Sequence, residues 1–149
     1  MGQITKVAAN VFSLRVSENV AGWIARTEDI RATAAAASHS LGTIESMTRG
    51  LLGWLITIPA DGSLPLEGIA PMLIQWRQRP HPASQLPDKG CSLVRLEAFH
   101  PFPDMIQTLL RSIGFQDEFV VSMPQPGQGP HLVAHVQTPS GLRRLIFPE

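Results

Sequence analysis

The sequence predicts an α+β fold in which the order strand–helix–strand–strand–strand occurs twice. Three observations carry this. Short apolar, β-branched runs alternate with Gly/Pro-rich breaks. Two helical segments, each opened by an aspartate (Asp29, Asp104), occupy matching places in the order. A glycine follows each of them, Gly42 and Gly114.

The elements follow in chain order. "VAGWIART" (20–27) reads as a strand. Thr27 is positioned to cap the next helix, with Glu28 and Asp29 at its positive end. "EDIRATAAAASHSLG" is rich in alanine, the best helix former, and is expected to run until Gly42. "TIESMT" (43–48), "LLGWLITIP" (51–59) and "MLIQW" (72–76) read as three strands. After the proline-rich "RQRPHPASQLPDKG", the strand "CSLVRLEAF" (91–99) begins the second round. Pro103 suits the first position of a helix, and Met105, Ile106, Leu109, Leu110 and Ile113 fall on one face of it. "EFVVSM" (118–123), "HLVAHVQT" (131–138) and "LRRLIF" (142–147) complete the order. The chain therefore divides into an extension at 1–19, where "VFSLRV" reads as one further edge strand, a first module at 20–79, a linker at 80–90 and a second module at 91–149.

Composition narrows the function. The chain has 149 residues, 44% hydrophobic and 16% charged, which suits a globular domain with a real core. Formal net charge is zero and no Lys/Arg cluster occurs, so no nucleic-acid partner is expected. Low net charge gives little protection from self-association, which favours a homodimer. No apolar run has the length of a membrane span, and no secretory leader is evident. The single cysteine, Cys91, excludes an internal disulfide and reads as a small buried residue; a cytoplasmic setting fits.

The stretches "GWIARTEDI" and "LLGWLITIPADGSLPLEGIAPMLIQWRQRPHPASQLPDKGCSLVRLEAFHPFPDM" resemble the glyoxalase-like domains of the vicinal oxygen chelate superfamily. The resemblance runs from about residue 20 to 147. It implies a glyoxalase/bleomycin-resistance-like fold, with two βαβββ modules whose curved mixed sheets surround a cleft and whose helices lie outside. It also implies an upstream module with its own histidine. The chain thus reads as a fragment, or as a short member that completes its site by pairing.

The superfamily places metal ligands on the first and last strands of each module. The corresponding positions here are Gly22, Gln75, Glu97 and Arg143/Arg144. One carboxylate with an amide and two cations is a poor set for a divalent ion, so neither metal nor cofactor is expected. Strand alternation places Val94, Leu96 and Ala98 toward the helices and Arg95, Glu97 and Phe99 in the cleft. The expected ligand-binding set is Gln75, Trp76, Arg95, Glu97, Phe99 and His100. In it Arg95 receives an anionic or carbonyl group, Glu97 orients it and Trp76 forms an apolar wall. The function that follows is binding of a small organic molecule. The alternative is a metal-dependent lyase, isomerase or dioxygenase whose ligands are completed by a missing module or another subunit.

Two further patterns stay open. His81 and His100 each precede a proline at a strand exit. They read as polar loop residues bonding backbone, or as part of the cleft rim. His131 and His135 share one strand face, solvated or functional. Trp23, Trp54 and Trp76 read as core residues.

Overall fold

A computed structural model describes residues 22–147. The expected edge strand "VFSLRV" lies outside the described residues. The first sheet contains β1 (Ile24–Arg26), β2 (Thr43–Arg49), β3 (Leu52–Ile58) and β4 (Met72–Trp76), in the order β1-β4-β3-β2. The second contains β5 (Ser92–Phe99), β6 (Phe119–Ser122), β7 (His131–Thr138) and β8 (Gly141–Phe147), in the order β6-β5-β7-β8. Helices α1 (Ile30–Ala36) and α2 (Pro103–Ser112) follow the first strand of each sheet. The α+β class and the repeated element order are as the sequence predicts.

The strand orders of the two sheets differ. In the first, the opening strand β1 is an edge among the described strands and runs parallel to the last strand, β4. In the second, the opening strand β5 is interior, parallel to β6 on one side and antiparallel to β7 on the other. The segment "MPQPGQGP" (123–130) makes this arrangement, carrying the chain past the end of β5 between Ser122 and His131. β8 closes the sheet as an edge strand, with Arg143 opposite Val136 and Arg144 opposite His135, so the two arginines point to opposite faces.

Helix α1 is shorter than its alanine content suggests. Its N-cap is Asp29 rather than Thr27, with the carboxylate accepting from the Ala32 N–H at 3.0 Å. Thr27, buried, instead accepts from the Asp29 N–H and shares a 2.7 Å hydrogen bond with Thr33. The helix ends at Ala36, not at Gly42. There the Ser38 N–H leaves the helical pattern and donates to Ser112 Oγ at the end of α2. A tertiary partner thus replaces the next helical bond, and local propensity yields to it. Helix α2 meets the expectation, with Pro103 in its first turn and Ile106, Leu109 and Leu110 buried. The Phe115 N–H bonds back to Leu110 O and closes its end.

Each helix covers one face of a sheet, and those covered faces share a core. Ala25 and Leu73 of the first sheet join Leu96, Ala98, Leu132 and Ala134 of the second in one buried cluster with Ile30, Ile106 and Leu109. Trp23 is the joint. It stacks on Phe119 at 4.9 Å, meets Phe115 edge-on at 5.3 Å and donates its indole N–H to Ile69 O at 2.7 Å. A second, smaller cluster lies on the helix-free face of the first sheet, where Ile24, Ile56, Met72 and Ile74 are flanked by Trp54 and Trp76. Trp23 is a core residue; Trp54 and Trp76 are only partly buried.

Candidate functional site

The six residues expected to line one cleft do not share one face: Gln75 turns to the helix side, while Trp76 belongs to the first sheet and Arg95, Glu97 and Phe99 to the second. Gln75 and Trp76 are neighbours on β4 and so project from opposite faces. The Gln75 side chain turns to the helix side, where its Oε1 accepts from the Ile30 N–H at 2.9 Å. It supports the start of α1 and cannot share a pocket wall with Trp76. Trp76 lies on the helix-free face, 5.2 Å from Trp54 and 5.7 Å from the His81 ring, measured between centroids.

Arg95, Glu97 and Phe99 lie together on the helix-free face of the second sheet, as strand alternation indicates. Glu97 accepts from Arg95 at 3.0 Å and is 2.7 Å from His135 Nε2. The hydrogen bond with His135 holds the Glu97 carboxyl below its ordinary value; Arg95 and Arg144 add to this, while burial opposes it. Phe99 stacks on His131 at 4.5 Å. His131 and His135 therefore serve two neighbouring contacts on one face. The pairing of His135 with Glu97 was legible only from register, which sets Arg95 opposite His135 and Glu97 opposite Val133.

The apolar face of β5 needs one correction. A bulge between Leu93 and Arg95 leaves Val94 outside the alternation, and it is 61% exposed. Leu93 takes its place against the core. Cys91, expected to be buried, is exposed.

The two His-Pro steps prove to be one device. His81 Nδ1 accepts from the Ala83 N–H at 3.1 Å, and His100 Nδ1 from the Phe102 N–H at 3.0 Å. Each bond skips the proline, which has no N–H to offer. His100 is buried and bonded into its own loop. Among the described residues, no hydrogen bond or ion pair joins it to Arg95 or Glu97; its ring nitrogen serves the loop before α2.

A cavity of about 270 Å³ lies where the parallel strands β1 and β4 end. Arg26, Thr27, Glu28, Trp76, Gln78, Arg79, Pro80 and His81 line it. The Arg26 side chain is 24% exposed, and its Nε is buried without a hydrogen-bond partner among the described residues. Glu28 stands 3.8 Å from Arg26, beyond hydrogen-bond reach, but only 2.6 Å from Arg79. Burial holds the His81 imidazole below its usual value; Arg26 adds to that, and Glu28 pulls the other way. A second depression, of about 500 Å³, is lined by residues 40–66 and includes Asp61, whose carboxylate is engaged by Ser63. Neither depression draws a wall from the second sheet.

The residues at the ligand positions implied by the resemblance do not fit a divalent ion. Gly22 has no side chain, Gln75 is committed to Ile30, and Glu97 is held between Arg95 and His135. Among the described residues, no group of three or more His, Cys, Asp or Glu stands close enough to hold a metal.

A family model described as a glyoxalase-like domain matches residues 3–114. No curated protein matches the chain.

Proposed function

The chain belongs to the glyoxalase-like domain family, and from that premise we propose that it binds a small organic molecule without a metal of its own. The binding place is the cavity at the ends of β1 and β4, on the helix-free side of the first sheet. One observation carries the reading: Arg26 lines that cavity, and its Nε is buried with no hydrogen-bond partner among the described residues. An unsatisfied buried donor costs about 1–3 kcal/mol, so the Arg26 guanidinium gains from an acceptor that binds against it. Trp76 supplies an apolar wall and Arg26 a fixed polar group, the usual division of labour in a ligand pocket. Arg26 takes the part assigned to Arg95, whose guanidinium is half exposed and already paired with Glu97.

A protein-observed 15N NMR screen of small anionic, neutral and cationic compounds tests this. Binders should shift the Arg26 Nε–H and Trp76 indole resonances. A screen in which no compound binds, or in which every binder shifts only residues of the second sheet, would refute the reading.

A further inference from the structure

Resting on the pocket reading above, we infer that the ligand class is a compact organic carboxylate with a flat apolar body. Its carboxylate is received by Arg26 and His81, and its body lies against Trp76.

The argument begins with what the lining has left to offer. The Gln78 amide accepts from the Gly53 N–H at 3.0 Å and donates to Leu51 O at 2.9 Å. Thr27 Oγ1 is engaged by Thr33 and by the Asp29 N–H. His81 Nδ1 is taken by Ala83, so the neutral ring carries its proton on Nε2 and can only donate there. The Glu28 carboxylate, the one acidic group of the lining, is drawn to Arg79. Among the described residues, the side-chain groups of the lining that are left over are donors: the Arg26 guanidinium, the His81 Nε2–H, the Trp76 indole N–H and the remaining N–H groups of Arg79 and Gln78. An acceptor satisfies them, and an anionic one does so best, because charge-assisted hydrogen bonds are about twice as strong as neutral ones.

Charge and size narrow the class. Two arginines face one glutamate, leaving an excess positive charge in the lining. Burial, with Arg26 beside it, lowers the proton affinity of His81 and so favours the neutral ring, which keeps its Nε2 donor. A volume of about 270 Å³ holds roughly nine water-sized groups, which suits a small acid and excludes a nucleotide. Inorganic oxyanions use the donors but gain nothing from Trp76, whereas a flat ring or short conjugated chain gains contact with its face. Glu28 lies close enough to Arg26 to compete electrostatically with an incoming carboxylate.

Calorimetric titration of the full chain with benzoate, benzamide, benzylamine and inorganic phosphate tests the inference. Benzoate is expected to bind about tenfold more tightly than benzamide, with phosphate weaker and benzylamine not bound. Arg26→Gln should reduce benzoate to the level of benzamide. Glu28→Gln, at an exposed side chain, should strengthen benzoate a few-fold and leave benzamide unchanged. If Arg26→Gln does not fold, Glu28→Gln decides the matter. Equal affinity for benzoate and benzamide would overturn the carboxylate class while leaving the pocket reading intact. Phosphate binding as tightly as benzoate would overturn the role of Trp76. Failure of all four to bind would overturn the pocket reading itself.

Discussion

At the scale of single residues, the histidines do more structural work than their number suggests. His100 is 6% exposed and holds the Phe102 N–H. His100→Ala removes that acceptor and leaves a void, with an expected loss of about 1–3 kcal/mol in urea unfolding. His100→Asn should recover part of the loss, because an asparagine oxygen also reaches the N–H two residues on. Glu97 gives a pH-dependent counterpart. Its carboxyl is held below its ordinary value in the folded state and regains that value on unfolding. The folded chain therefore binds the proton less readily. The stabilisation is fully present above the unfolded value and is lost as pH falls through the lowered one. Glu97→Gln should flatten this acid-side decline in urea midpoints. The Arg95 part of the effect should not exceed about 1 kcal/mol, because Arg95 is half solvated; the hydrogen bond to His135 supplies the larger part. A decline unchanged by the substitution would show that the pairing contributes nothing.

At the scale of elements, turns decide what propensity leaves open. Gly42 does not stop α1, but it is required where it stands. Its φ is +102°, and a Cβ there would lie 2.2 Å from the Ile58 carbonyl carbon. Gly42→Ala must therefore displace the start of β2 from the end of β3, at an expected cost above about 3 kcal/mol. Gly50, with φ +60° and nothing within 4 Å, is the control. Gly50→Ala should cost only the left-handed penalty of about 1–2 kcal/mol. Equal losses in thermal or urea unfolding would place the constraint in φ alone and not in the close approach. The bulge at Val94 belongs to the same scale, since one extra residue moves a valine from the expected core face into solvent.

At the scale of the whole molecule, the shared core makes the two sheets one cooperative body. Trp23 sits between them, so its fluorescence and the far-UV signal should change together in a single urea transition. Two separated transitions would show that the halves unfold independently. Most of this fold was legible in the sequence. The limits of most strands (β1 is shorter than read), the buried face of α2 and the repeated order follow from local periodicity and turn residues. The interior place of β5 was not, because strand order is set by pairing between distant segments. The side taken by Gln75 is legible only through strand alternation, which turns it away from Trp76. The pocket around Arg26 was missed because its members are scattered over residues 26–81 and meet only when β1 and β4 pair. Trp76, the residue common to the expected and observed walls, was the available signal.

The edge position of β8 has a consequence for solubility. "LRRLIF" presents unpaired backbone along the side of the second sheet among the described strands, and Leu142, Leu145 and Ile146 are all substantially exposed. Such a strand is a template for adding further strands from other chains. Arg143 and Arg144, one on each face, act as gatekeepers, since stacked copies in register would bring like charges together on both sides. Replacing both by valine creates an uninterrupted apolar β segment with no charge to oppose stacking. The Arg143→Val/Arg144→Val chain is expected to form thioflavin-positive fibrils under conditions where the natural chain stays dissolved. If the two remain equally soluble, the edge is protected by something other than its charges.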